Sequence, residues 1–537
     1  MSAKVNDLPP GWIETPIDAV LAPLEDGRTL HHGWSPQCEK EPSSTDADWG
    51  VLKTTAIQDG QFLPEHNKKL PAKLKPRPNL QVRTGDLLIT CAGPRSRCGI
   101  PCLVRSTRPR LMLSGKMYRF RVSEAVLDSR YMEAFLRSQA TQAVIDTMKT
   151  GISDSGLNLT HGRFRRLVVR VAPLNEQRRI VAKIEELFSD LDAGVAALER
   201  VRANLKRYRA AVLKAAVEGR LTEAWRRQNP PAEPPAMLLA RVLTARRKNW
   251  EADHFNKYAE AGTSPPEGWW EKYRDPPSPP NGSFPELPAG WCCATVEQCA
   301  WDVTVGHVGP MKERYIESGV PFLRSQNVRP LRFDRHGLKF IPEDFHAALS
   351  KSRLVGGELL VVRSGSVGEA CVYPADAGEA NCSDLVITRL LALIDPRYVA
   401  LFVTSPVGRA SILGRQTGSA LAHFNVGAME RSAIPVPPVS EQQEIIAEVA
   451  RRLSVVEAVE AEVEHDLKRA GRLRQAILKR AFEGKLVPQD PTDEPAAAIL
   501  TRSRHLHDAG AASQTRSRSR RRALPLQQVP LLDEAQR

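Results

Sequence analysis

The sequence predicts a mixed α/β protein written twice, with two related α/β modules, each followed by one long amphipathic helix. Three observations predict it. Six landmarks recur in the same order in both halves of the 537-residue chain. Short apolar runs bounded by Gly, Pro and Ser occupy the first part of each half, and an apolar seam stepping by threes and fours occupies the second.

The landmarks are short but ordered. LPPGW at 8–12 returns as LPAGW at 287–291, VLKTTAI at 51–57 as FLRSQNV at 322–328, and GDLLIT at 85–90 as GELLVV at 357–362. Each of the last pair is followed by a glycine, Gly93 or Gly365. Thr150-Gly151 returns as Thr417-Gly418, PLNEQ at 173–177 as PVSEQ at 438–442, and EGRL at 218–221 as EGKL at 483–486.

In chain order, residues 1–172 form the first module. Its apolar runs at 86–90 and 167–171 read as strands, and 131–148 carries a weak helical pattern. Residues 173–221 form the first long helix, whose seam runs from Ile180 through Leu191 and Leu205 to Val212. Proline precedes the seam and Gly219 ends it, as helix start and stop chemistry requires. Residues 222–286 connect the halves through a short helix at 237–250 and a Pro-rich stretch, YRDPPSPPNGSFPELP, too rich in proline for a core. The second module, 287–437, has strands at 358–362 and 384–387 and a helical pattern at 396–413. The second long helix, 438–486, carries a seam from Ile445 through Leu473 to Ile477 and ends at Gly484. A seam this narrow and this long buries itself against another helix, and the other copy is the obvious partner. Each helix would span about 68 Å. The alternative, two core helices of the modules, fits the length of the seams less well. The segment 487–537 ends in a basic stretch, RSRSRRR at 516–522, read as a solvated tail.

The formal net charge of +14 favours a polyanionic partner, most simply nucleic acid, although an ordinary basic protein also carries such a surplus. No stretch of about 18 apolar residues exists. The nearest, 390–403, is broken by Asp395, Pro396 and Arg397. The opening MSAKVNDLPPGW has no apolar segment of a secretory kind, so a cytoplasmic protein with no membrane role is expected. Nine cysteines lack paired CxxC spacing and read as reduced thiols rather than zinc ligands.

Catalytic motifs are missing. The Asp-Pro-Pro at 275–277 is followed by Ser278, not an aromatic residue, and lies in the linker. Gly115-Lys116 and Gly484-Lys485 do not continue as a phosphate-binding loop, and twelve histidines show no metal spacing. No catalytic residue and no metal ligand is therefore assigned.

Two α/β modules, each followed by a helix introduced by Pro-x-x-Glu-Gln and closed by Glu-Gly-Arg/Lys-Leu, resemble the specificity subunits of type I restriction-modification systems. GKLVPQDPTDEPAAAIL at 484–500 and LTEAWR at 221–226 are similar to recurring blocks of that family. The resemblance implies that each module is a target-recognition domain. It also implies that the helices form an antiparallel coiled coil docking two methyltransferase subunits, with translocase/nuclease subunits joining for restriction. The target would be bipartite double-stranded DNA. The chain itself would hold no cofactor, S-adenosylmethionine being carried by the methyltransferase partner. A self-contained DNA methyltransferase with unrecognised motifs and a non-catalytic coiled-coil scaffold are the alternatives.

Polar loop residues near the strands are the candidates for DNA contact, because loops on a rigid scaffold carry recognition. In the first module they are Lys53, Thr54, Thr55, Arg95, Arg97, Lys116 and Asn158. In the second they are Arg324, Ser325, Gln326, Asn327, Arg363, Ser364, Ser366 and Asn425. Arg and Lys suit guanine edges, and Asn and Gln suit adenine; phosphate contact or a purely structural role is the alternative for each.

Overall fold

The computed structural model describes residues 8–284, 286–413 and 424–505. The second Thr-Gly pair, at 417–418, the basic stretch at 516–522 and the first seven residues lie outside the described residues. Two compact units share the chain. One is built from residues up to Leu198 together with those from His465 onward, the other from Glu199–Glu464.

The first unit holds an antiparallel sheet in the order Pro101–Leu103, Leu87–Thr90, Met117–Val122 and Leu21–Ala22, with Leu30–His32 also pairing along Met117–Val122. Leu87–Thr90 is buried along its length, which is why it reads as an unbroken apolar run and not as an alternation. A smaller sheet pairs Gly50–Leu52 with Leu111–Met112 and Asn67–Lys69. The strand Ile13–Pro16 pairs with Val168–Val171, closing the module where its chain enters and leaves.

The second unit repeats this plan. Its main sheet runs Ala300–Val305, Leu385–Leu390, Leu359–Val362, Ala370–Val372, and Cys292–Thr295 pairs with Ala433–Val436 as the closing ladder. Each helical pattern resolves into two helices. In the first unit Ser129–Arg137 gives way to Gln139–Met148, and in the second Pro396–Thr404 gives way to Pro406–Leu413. Ser138 ends one helix and caps the next through Thr141 N, while Pro406 lacks the amide needed to continue. The connector helix is longer than the 237–250 expected from sequence, running Pro235–Glu260.

The long helices are Leu174–Val217 and Val439–Phe482. Both contribute to both units, and within each unit they meet with opposite polarity. In the first, Ile180, Val181 and Ile184 near the start of one helix share a core with Ile477, Leu478, Ala481 and Phe482 at the end of the other. In the second, Val212, Leu213, Ala216 and Val217 share a core with Ile445, Val449 and Leu453. Burying one such side chain stabilises by about 1.5–3 kcal/mol. Charge supports the same polarity: Arg474 pairs with Asp192 in the first unit, and Arg209 pairs with Glu460 at 2.9 Å in the second.

The seam is not buried throughout. Val201 and Tyr208 in the second unit are 39% and 47% exposed, and Leu473 in the first is 49% exposed. The sequence pattern predicts burial for all three. A seam residue facing one neighbouring helix, with no third element over it, keeps part of its surface open.

Three of the landmark motifs turn out to form one joint in each unit. Trp12 donates to Glu176 Oε2 at 3.0 Å, and Trp291 donates to Glu441 Oε2 at 2.8 Å. The neighbouring Gln177 accepts from Asp128 N and donates to the carbonyls of Val126 and Ala172. Gln442 repeats this with Asp395, Leu393 and Pro437. The Glu-Gln pair therefore locks each module to the helix that follows it. The glycine that ends a helix meets the other repeat's Pro-x-Gly-Trp segment: a Cβ on Gly219 would lie 2.4 Å from Pro288, and one on Gly484 would lie 2.3 Å from Pro9. Both glycines have positive φ, so the sequence needs glycine there on two counts.

Candidate nucleic-acid interface

In the first unit the candidates gather around the turn at 91–99. Arg97 donates to the carbonyls of Thr54 and Ile57, both at 2.6 Å, and to Gln58 at 3.2 Å, so its guanidinium ties the turn to the loop carrying Lys53, Thr54 and Thr55. Thr55 is exposed, and its carbonyl accepts from Gln58 and from the His66 ring. Arg95 is exposed and pairs with Asp146 at 2.7 Å and Asp154 at 3.0 Å. Asp146 is held below its ordinary value by its hydrogen bond with Lys149 and by Arg95. Asn158 sits exposed on a short strand paired with Ala92, and Cys91 N donates to the Lys116 carbonyl at 2.8 Å. The exposed side chains of Lys116 and Asn158 thus flank the same turn.

Next to Asn158, around Leu159, lies an aromatic group that no sequence pattern singles out, with His32 exposed and Tyr118 buried. The Tyr118 and His161 rings are 4.4 Å apart, with His32 at 5.6 Å from Tyr118, and Tyr118 donates to the Leu159 carbonyl at 2.6 Å. Burial, aided by His32 and Arg165, pushes the His161 imidazole below its ordinary value. The signal in sequence is one histidine on each of two separate segments, which no local pattern connects.

In the second unit, two candidate loops come together. Arg363 N donates to the Asp384 carbonyl at 3.3 Å, Ser364 bonds to the Asp384 carboxylate, and Ser383 N donates to Leu323 O at 3.0 Å. The 363–366 loop, with Ser366 exposed at its tip, therefore lies beside the loop of Arg324, Ser325, Gln326 and Asn327. Asn327 is wholly buried. Its side chain accepts from Arg324 N and donates to the carbonyls of Asp334 and His336, holding the loop's shape. Arg324 donates to Gly337 O at 2.8 Å, and the exposed Gln326 reaches the same carbonyl at 3.4 Å. Arg363 has a buried Nε with no partner among the described residues. Asn425 stands apart from these loops: it caps the short helix Val426–Arg431 by accepting from Ala428 N.

The candidates thus divide by geometry. Arg97 and Asn327 are engaged with main-chain groups, Arg95 with two carboxylates and Asn425 with a helix start. Arg324 and Gln326 also donate to a carbonyl and Ser364 bonds to a carboxylate, whereas Lys53, Thr55, Lys116, Asn158, Arg363 and Ser366 have side chains without such a bond among the described residues.

No family model matches the chain. It is 35% identical over 189 residues to the type I restriction enzyme EcoEI specificity subunit of Escherichia coli, a match covering 35% of this chain and 31% of that subunit. Over 518 residues it is 25% identical to the EcoKI specificity subunit of Escherichia coli strain K12, covering 93% of this chain and 96% of that one. Its fold matches a chain solved in a study of complex assembly and conformational transition of the type I R-M system. That likeness has a TM-score of 0.55 at 20% identity and covers 89% of this chain and 100% of the other. The chain is thus related, along nearly its whole length, to the specificity subunits of type I restriction enzymes.

Proposed function

We propose that this chain is the DNA sequence-recognition subunit of a type I restriction-modification complex, with one module reading each half of a bipartite target. The observation that carries the reading is the repeated joint. The same Trp–Glu bond and the same Gln bonds fix each α/β module to a long helix, so that two independent readers share one pair of helices. The net charge of +14 suits a nucleic-acid partner.

On this reading the chain is not itself an enzyme. Methyltransferase subunits dock on the paired helices, bring S-adenosylmethionine, and methylate adenine, and translocase/nuclease subunits join for restriction. The exposed apolar positions Val201, Tyr208, Val455 and Val459 on the helical part of the second unit support helix-borne docking, since an open apolar stripe invites a partner. The experiment is co-expression of the chain with its methyltransferase partner, followed by mapping of methylated adenines. One bipartite motif is expected, and none with either protein alone. Methyl transfer by the isolated chain would favour the self-contained methyltransferase instead.

A further inference from the structure

In the first unit the turn at 91–99 is connected to a basic segment that holds none of the candidate residues. Lys116 is joined to the turn through Cys91 N. Next to it, Gly115 packs on Ser35 so closely that a Cβ would lie 2.7 Å from the Ser35 hydroxyl. Trp34 N donates to Leu113 O at 3.0 Å, and the Arg77 guanidinium lies over the Trp34 ring at 4.2 Å. A continuous path therefore runs from Asn158 through Lys116 and Trp34 to Arg77.

Arg77 belongs to a stretch, 68–85, that contains no Asp or Glu. Lys69 and Arg83 find partners outside it, in Asp48 and Glu25. Lys73, Lys75 and Arg77 are exposed and have no ion pair among the described residues. The backbone beneath them is ordered: Leu74 N donates to Pro71 O, Leu80 N donates to Arg77 O, and Leu70 and Leu80 are buried. Pro71, Pro76 and Pro78 restrict it further. Three cations are thus presented on a stiff support with little ordering left to lose on binding. Among the described residues the second unit has no counterpart: its strand Lys339–Ile341, which pairs as Asn67–Lys69 does, leads into a helix starting Glu343-Asp344.

We propose that Lys73, Lys75 and Arg77, continuing the surface of Lys116, grip the phosphate backbone of duplex DNA beside the first half-site, supplying affinity without sequence choice. This rests on the DNA-recognition reading above. Removing one cation from a phosphate makes the dependence of log affinity on log salt shallower by about 0.9.

The test compares the full-length chain with its Lys73→Ala/Lys75→Ala/Arg77→Ala variant on a duplex carrying the methylated motif and on a scrambled duplex, across salt. The expected result is a slope shallower by about two to three, with equal weakening on both duplexes. Lys73→Gln/Lys75→Gln, which leaves Arg77 on Trp34, should give about two thirds of that change, and Lys73→Arg/Lys75→Arg should give none. An unchanged slope, or weakening confined to the motif duplex, would overturn the strip while leaving the recognition reading in place. Failure of the unsubstituted chain to bind either duplex would instead overturn the recognition reading, and the strip with it.

Discussion

The indole of Trp291 donates to Glu441 Oε2 at 2.8 Å, and the other oxygen of that carboxylate accepts from Thr222 at 2.7 Å and from Arg226 at 2.7 and 2.9 Å. Its counterpart, Glu176, accepts from Trp12 but has an Oε1 that is buried without a partner among the described residues. Position 226, an arginine after the first helix, corresponds to Pro491 after the second, and Arg179 pairs with Asp493 instead. The two joints should therefore respond differently to one substitution. Glu441→Gln leaves the partly buried Arg226 without its anion and should destabilise the second unit by about 3 kcal/mol. Glu176→Gln removes a buried charge and should leave the first unit as stable or more so at neutral pH. Denaturant melts of both variants check this, and equal losses of stability would contradict it.

The same asymmetry has a pH signature. Burial holds the Glu176 carboxyl above its ordinary value of 4.5, with Trp12 and Arg179 opposing the shift. A raised carboxyl favours the folded state when protonated. Its contribution is fully present below the ordinary value and is lost as pH rises through the folded one. The gap in stability between Glu176→Gln and the unsubstituted chain should therefore be largest at neutral pH and close on acidification. A gap that widened toward acid would reverse the sign and refute the assignment.

Much of this architecture was legible in sequence because its signals are local. The apolar runs at 87–90 and 359–362 are buried strands, and the seams are helices of the expected extent. The landmark motifs were visible as a repeat, but the joint that three of them form was not. Trp12 and Glu176 are distant in sequence, and Gly484 meets Pro9 from nearly the other end of the chain. The interface was less legible still. Arg97 and Lys116 look alike as loop cations, yet only the fold tells that one is engaged with carbonyls and the other is exposed.

Arg363, like Arg324 beside it, has a buried Nε without a partner among the described residues, but whereas Arg324 donates to the Gly337 carbonyl, the Arg363 guanidinium has no hydrogen bond or ion pair among the described residues. Arg363→Ala should weaken recognition of one half-site by about 1–3 kcal/mol, the range of a bidentate base contact. Binding to duplexes with each half-site scrambled in turn reads this directly. Equal weakening on every duplex would mark Arg363 as a phosphate contact.

The paired helices are expected to set the gap between the half-sites. Four residues inserted between Leu205 and Lys206 lengthen the helix by about 6 Å while nearly restoring its seam. That is just under two base-pair steps of about 3.4 Å, so the methylated motif should keep both halves and gain one or two pairs between them. Two inserted residues turn the seam by about 200° and should impair assembly. Methylation at the original gap by the four-residue variant would show that the helices do not set it.

The central claim, two independent readers on one frame, is tested most directly by exchanging residues 13–150 for the corresponding module of a related subunit and mapping methylated adenines in cells carrying the hybrid with its methyltransferase partner. The expected motif has one half-site changed and the other the same. A motif changed in both halves, or in neither, would contradict it.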